Sequence, residues 1–179
     1  KQDQYAAVFG GFNLMKFRAD GVDVNRIKIK ERTLNELQCR SVLCYTGSTR
    51  ESGNIIDSQV KSFMKGDNES ALDRNKEIAL EMAAALEKDD IDETGRLLDI
   101  GWKNKKQYSD KITNSKIDEL YNAAIGGKVS GAGGGGFMFF VCDYDRKFVV
   151  SEQLMKHGAI VSDFLFEPNG VLAWRNRDE

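Results

Sequence analysis

Histidine is almost missing from this 179-residue chain, with His157 its single representative. Metal sites built from several histidines are therefore excluded, and an imidazole-based nucleophilic triad would have His157 alone to draw on. His157 is followed by Gly158, which predicts the last turn of a helix closed by that glycine. Cysteine is scarce as well. Cys39, Cys44 and Cys142 are odd in number, and their spacing matches neither a zinc ribbon nor a disulfide framework. Reduced thiols in a cytoplasmic protein are expected from that usage. No apolar run approaches the ~20 residues that span a bilayer. The opening Lys1-Gln2-Asp3-Gln4 is not followed by the apolar core of a signal peptide. Neither sign of charge dominates: 26 Lys and Arg against 28 Asp and Glu leave a net charge of −2. That balance gives no general attraction to nucleic acid or to an anionic membrane.

Glycine, by contrast, is concentrated. Five of the nine residues in Lys128-Val129-Ser130-Gly131-Ala132-Gly133-Gly134-Gly135-Gly136 are glycine, and Phe137-Met138-Phe139-Phe140-Val141 follows at once. Such a backbone reaches positive φ and approaches a ligand closely, and successive unshielded N–H groups can form an anion-binding concavity. The plainer alternative is a flexible linker. Gly131, Gly133 and Gly136 also spell G-x-G-x-x-G, but a dinucleotide-binding turn follows a strand and opens a helix. Here the pattern predicts a helix ending near Ile125 upstream and a strand downstream, so that reading fails.

In chain order, residues 1–11 predict a short helix with Asp3 near its start and Gly10-Gly11 at its end. Phe12 to Lys30 predicts a hairpin turning at Ala19-Asp20-Gly21, with Val24, Ile27 and Ile29 on the return strand. Arg32–Arg40 predicts a short helix or connection, and Ser41–Tyr45 a buried strand closed by Thr46-Gly47-Ser48-Thr49. The middle third is helical. A first helix is expected to face inward through Ile56, Val60, Phe63 and Met64. A second, capped by Asn68, would use Leu72, Ile78, Ala79, Met82, Ala83 and Leu86. A third, about Ile91–Tyr108, would bury Leu98, Trp102 and Ile91. A fourth, from about Asn114, carries Ile117, Leu120, Tyr121 and Ala124. Then come a strand at Gly136–Cys142, a helix at Arg146–His157, and strands at Ala159–Glu167 and Val171–Arg175 joined through Pro168-Asn169-Gly170. The fold class expected is α+β, with helices layered on a mostly antiparallel four-stranded sheet.

Three places can carry chemistry. Asp3 is either a cap and dipole partner or a carboxylate that orients or deprotonates a substrate hydroxyl. The glycine loop can hold phosphoryl oxygens during transfer. Thr46-Gly47-Ser48-Thr49-Arg50 either binds sugar or phosphate or merely closes a strand. Lys128 and Ser130 flank the glycines as further donors.

Taken together, Lys1-Gln2-Asp3-Gln4-Tyr5-Ala6-Ala7-Val8-Phe9-Gly10-Gly11 and Gly126-Gly127-Lys128-Val129-Ser130-Gly131-Ala132-Gly133-Gly134-Gly135-Gly136-Phe137 resemble the GHMP small-molecule kinases. Within that superfamily the chain is most similar to the sugar kinases that phosphorylate D-glycero-D-manno-heptose 7-phosphate at its anomeric oxygen. Tyr45-Thr46-Gly47, Trp102 and Phe166-Glu167-Pro168 extend the likeness along the chain. The resemblance implies a catalytic role for Asp3. It also implies a substrate- and phosphoryl-binding set of Gln2, Gln4, Gly10, Gly11, Arg50, Ser130, Gly131, Gly133, Gly134 and Gly135. ATP and Mg²⁺ are the implied cofactors and a small sugar phosphate the implied substrate, with neither nucleic acid nor membrane as partner. The family's ATP loop, Pro-x-x-x-Gly-Leu-Ser-Ser-Ser at a helix N-terminus, does not occur in these residues. The resemblance therefore implies the C-terminal part of a kinase: residues 1–30 would end an N-terminal nucleotide-binding domain and 31–179 would be the C-terminal domain. Other acceptors of the superfamily, such as galactose, fucose or mevalonate, remain open. So does a non-catalytic sugar-sensing or interaction module derived from such a kinase.

Overall fold

The computed structural model describes residues 1–48, 52–66, 68–123, 127–129 and 133–175. Its helices are α1 (Gln2–Phe9), α2 (Glu31–Arg40), α3 (Ser52–Met64), α4 (Glu69–Glu87), α5 (Ile91–Lys105), α6 (Ser115–Ala123) and α7 (Lys147–Lys156). Its strands are β1 (Asn13–Phe17), β2 (Val22–Arg26), β3 (Ser41–Tyr45), β4 (Gly127–Val129), β5 (Phe137–Val141) and β6 (Ile160–Ser162). The strands β1 and β2 form an antiparallel hairpin of their own. The other four make an antiparallel sheet in the order β4-β5-β3-β6, so the expected α+β architecture is what the chain adopts.

The sheet is buried on both faces, and the two-residue period of β5 shows how. Met138 and Phe140 join Val42, Cys44, Trp102, Ile117, Leu120 and Leu154 in one cluster. The alternate residues Phe139 and Val141 join Leu37, Leu86, Ile91, Phe12, Ile27, Ile29 and Phe166 in another. The hairpin region thus docks on the sheet through Phe12, Ile27 and Ile29. Ile27 and Ile29 lie beyond the end of β2, which stops at Arg26, and not on the return strand. Burial pushes the Cys44 thiol up to about 11 and raises that of Cys142, so both behave as small apolar side chains. All three cysteines are free.

Local chemistry explains several boundaries. The Asp90 side chain accepts from the Glu93 N–H at 2.9 Å and starts α5. The Asn114 side chain accepts from the Ile117 N–H at 2.9 Å and starts α6. His157 does close α7, with Gly158 at φ 78° behind it.

Several expectations are corrected. The inner face of α3 is not Ile56, Val60, Phe63 and Met64, which are 49%, 48%, 48% and 79% exposed. The helix is anchored instead by Ile55 and by a Ser58–Ser109 hydroxyl pair at 2.6 Å. Periodicity identified an apolar stripe but not the side on which it lies. In α4, Ala79 is exposed, and in α5 the fully buried leucine is Leu97 while Leu98 is half-buried. The strand expected across Ala159–Glu167 is only Ile160–Ser162, and Val171–Arg175 forms no strand. In place of a Pro168–Gly170 hairpin, residues 163–175 run back over the first helix. The Gly11 N–H donates to Glu167 O at 2.7 Å, the Val171 N–H to Val8 O at 3.0 Å, and Arg26 Nη2 to Pro168 O at 2.6 Å. A Cβ on Gly170 would overlap Val8 O, so the close approach of these backbones overrides the local turn preference. Finally, the glycine tract is preceded by β4, not directly by a helix.

The turn from α4 to α5 is fixed by Asp89, at φ 63° the one non-glycine residue with positive φ among those described. Its carboxylate accepts from Lys30 Nζ, from Arg32 Nη2 at 3.0 Å and from Thr33 Oγ1 at 2.6 Å, tying the start of α2 to this turn. These donors hold its carboxyl far below the usual carboxylate range. A depressed folded-state pKa stabilises the fold above the unfolded value of about 3.9 and loses that contribution as pH falls below it. Asp89→Asn tolerates the same backbone conformation. In denaturant titrations it is expected to be less stable than wild type at pH 7, with the difference shrinking below about pH 4. A difference that stays constant down to pH 2 would rule out the charge as its source.

Candidate functional site

The tract from β4 to β5 is a hairpin whose described part, Gly133–Gly136, has four consecutive positive φ values: 102°, 76°, 157° and 85°. Only glycine adopts such a series without strain. Two loops hold it. The Gly134 N–H donates to Ile112 O at 2.6 Å, and its carbonyl accepts from Asn114 Nδ2 at 3.1 Å. The Gly136 N–H donates to Ser48 O at 3.0 Å, and its carbonyl accepts from the Thr46 N–H at 2.9 Å. Each even-numbered glycine is thus held through both its N–H and its carbonyl. The odd-numbered glycines supply close approach, since a Cβ on Gly133 would sit 2.7 Å from Ile112 O and one on Gly135 2.8 Å from Ser48 O.

This geometry alters the anion-binding picture drawn from composition. The N–H groups of Gly134 and Gly136 point into the protein. Those of Gly133 and Gly135 have no partner among the described residues and are the donors left to a ligand. Thr46, 1% exposed, and Ser48 form a self-closing turn: the Ser48 N–H donates to Thr46 Oγ1 at 3.4 Å, and the two hydroxyls lie 3.3 Å apart. In this structure that turn braces the glycine loop. Arg50, Ser130 and Gly131 lie outside the described residues. Lys128 pairs through its backbone with Phe139.

Asp3 stands in the first turn of α1, exposed and without a hydrogen bond or ion pair among the described residues. Gln2 and Gln4 beside it are exposed too. Gly10 and Gly11, at φ 58° and 63°, end the helix against the returning segment. A Cβ on Gly10 would overlap the Asn169 backbone, and Asn13 Nδ2 donates to Gly10 O at 2.8 Å. Their packing against residues 167–170 gives both glycines a structural reason independent of any ligand. A free carboxylate on a short helix and a stapled glycine loop are thus the two chemically available features. Among the described residues no bond joins Asp3 to Gly133–Gly136.

A concavity of about 240 Å³ at the end of α1 is bounded by Gly11, Phe12, Ile27, Leu34, Phe166 and Pro168. Another, about 460 Å³, lies beside Arg40, whose guanidinium donates to Cys142 O, Glu36 and Asp92 and clamps α2 to α5 and β5. Among the described residues no group of three His, Cys, Asp or Glu side chains is placed to hold a metal ion, and no helix is long and apolar enough to cross a membrane. Ile112 and Asn114 escaped the sequence reading of the site, whereas Ser48 was read as part of a ligand-binding or strand-closing stretch and not as a brace of the glycine loop. The one signal was Asn114, which was read only as the start of a helix.

Residues 82–160 match the family model for the C-terminal domain of GHMP kinases. The chain is 40% identical, over 97% of its length, to a D-glycero-alpha-D-manno-heptose 7-phosphate kinase of Campylobacter jejuni subsp. jejuni serotype O:2, of which it covers 53%. A solved D-glycero-D-manno-heptose 1-phosphate kinase from Bacteroides thetaiotaomicron superposes with a TM-score of 0.70 at 34% identity, covering 99% of this chain and 49% of that one. The mevalonate kinase of L. major superposes with a TM-score of 0.72 at 17% identity, over 94% of this chain and 53% of that one, and shares the fold. The chain spans about half the length of these relatives.

Proposed function

The chain carries a GHMP kinase C-terminal domain, and from that premise we propose that it is the substrate-and-phosphoryl side of an ATP-dependent sugar-phosphate kinase. The acceptor we assign is the anomeric oxygen of D-glycero-D-manno-heptose 7-phosphate. The observation that carries this reading is the 40% identity to the Campylobacter heptose 7-phosphate kinase, sustained over 97% of the chain. Residues 1–30 would complete a nucleotide-binding domain whose other part precedes them, and 31–179 would form the C-terminal domain.

Phosphoryl transfer asks the protein for positioning and electrostatic stabilisation more than for covalent chemistry. That demand suits a site with one available carboxylate. Asp3 orients or deprotonates the attacking hydroxyl, with Gln2 and Gln4 beside it as hydrogen-bonding side chains. The free N–H groups of Gly133 and Gly135 offer donors to the oxygens of the transferred group, with Arg50, Ser130 and Gly131 adding to them. ATP supplies the phosphoryl group and Mg²⁺ offsets its charge. By the family resemblance, ATP and Mg²⁺ are assigned mainly to residues outside this chain. The reaction is placed in the cytoplasm.

The test is the full kinase incubated with ATP, Mg²⁺ and a panel of heptose 7-phosphate, galactose, fucose and mevalonate, with ³¹P NMR of the products. A new anomeric phosphate on the heptose alone supports the assignment. Product from another acceptor moves the substrate, and sugar binding with no product from any acceptor points to a sensor. The 179-residue chain assayed alone is expected to give no measurable turnover. Turnover by that chain, abolished in Asp3→Ala, would overturn the division of the site between two parts.

A further inference from the structure

Of the four hydrogen bonds that fix Gly134 and Gly136, three join backbone to backbone, and one, from Asn114 Nδ2 to Gly134 O at 3.1 Å, comes from a side chain. The same side chain also caps α6, accepting the Ile117 N–H through Oδ1 at 2.9 Å. Its orientation is fixed by its partners, because a peptide N–H only donates and a carbonyl only accepts. One amide therefore links the first turn of α6 to the middle of the glycine loop, 20 residues away in sequence.

We propose that Asn114 is a positioning residue: by holding the Gly134 carbonyl it sets the plane of the Gly134–Gly135 peptide and with it the direction of the Gly135 N–H. The kinetic consequence rests on the kinase reading above, whereas the structural consequence does not. Rotating that peptide turns the Gly135 N–H, which lies in the same plane as the Gly134 carbonyl. A loop meant to meet developing charge loses effectiveness when its donors move by even about 1 Å.

The cap and the staple can be separated chemically. Asp and Ser cap helices about as well as Asn. Aspartate, however, places a carboxylate oxygen against the Gly134 carbonyl where a donor had been, and serine is too short to reach it. Asn114→Asp and Asn114→Ser should keep the cap and lose the staple, and Asn114→Ala should lose both.

The first measurement is amide hydrogen exchange on the chain. Faster exchange at Gly134 and Gly136, about tenfold or more, is expected in all three variants, with α6 amides unchanged in the Asp and Ser forms and faster in the Ala form. The second is steady-state kinetics of the full kinase, where the Asp and Ser variants are expected to lose about tenfold or more in kcat/KM at unchanged melting temperature. If the Asp variant keeps wild-type exchange at Gly134, Asn114 is only a helix cap and the proposal is wrong. If exchange rises as expected but wild-type enzyme phosphorylates no sugar phosphate, the staple stands and the kinase reading falls. Wild-type kcat/KM in a variant whose loop exchanges faster would overturn the positioning role itself.

Discussion

Asp3→Asn in the full kinase is expected to lower kcat by about 10²–10⁴ while leaving the fold intact. The size follows from what the substitution removes. Asparagine keeps the shape of the side chain but cannot take a proton, so an interaction made while the hydroxyl attacks is lost. The stability prediction comes from the structure. Asp3 is exposed, has no hydrogen bond or ion pair among the described residues, and sits in an eight-residue helix with no buried residue. All that it contributes to folding is its favourable position at the positive end of that helix, about 0.3–1 kcal/mol. A carboxylate without structural work is the kind of group whose loss separates activity from stability. Paired kinetics and thermal melts check it: kcat within about threefold of wild type would remove Asp3 from the chemistry, and a large drop in melting temperature would assign it to the fold.

The elements that the sequence made legible are those in which local pattern and burial agree. Ser41–Tyr45 was read as a buried strand and is one, with Val42 and Cys44 in the main cluster and the strand central in the sheet. The hairpin at Ala19-Asp20-Gly21 and the starts of α5 and α6 were equally readable, because Asp, Asn and Gly act within two or three residues of themselves.

What stayed hidden was set by contacts distant in sequence. The apolar stripe of α3 has helical spacing, yet Ile55 and Ser58 decide which side faces the protein. Pro168-Asn169-Gly170 carries strong turn signals, but the carbonyls of Val8 and Glu167 and the side chains of Gln38 and Arg26 draw the segment across α1. Gly127–Val129 is too short to show any period and is a strand only because β5 pairs with it. The site divides the same way. Glycine content marked the loop, and 46–48 was marked as a candidate in its own right, but nothing local joined it or segment 112–114 to the glycines whose geometry they fix.

Those partners predict an order of effects within the glycine loop. Gly133→Ala and Gly135→Ala each combine two costs. The first is a backbone conformation that L-residues rarely adopt, about 1–2 kcal/mol. The second is overlap with a carbonyl, at 2.7 Å from Ile112 O and 2.8 Å from Ser48 O, comparable to overpacking at about 1–3 kcal/mol. Each is expected to destabilise the fold by about 2–5 kcal/mol, lowering the melting temperature by several degrees. In the full kinase each should reduce kcat/KM by about 10²-fold, because relief of either overlap displaces the donors. Gly136→Ala is the internal control. Its φ of 85° carries the backbone cost, but a Cβ there meets nothing within 4 Å. It should therefore lose only about 1–2 kcal/mol. Melting curves of the three variants decide between two accounts of the loop. If the losses rank as expected, Gly133 and Gly135 are glycines because Ile112 and Ser48 press against them. If all three are equal, backbone conformation alone explains the tract and the flanking loops do not shape it.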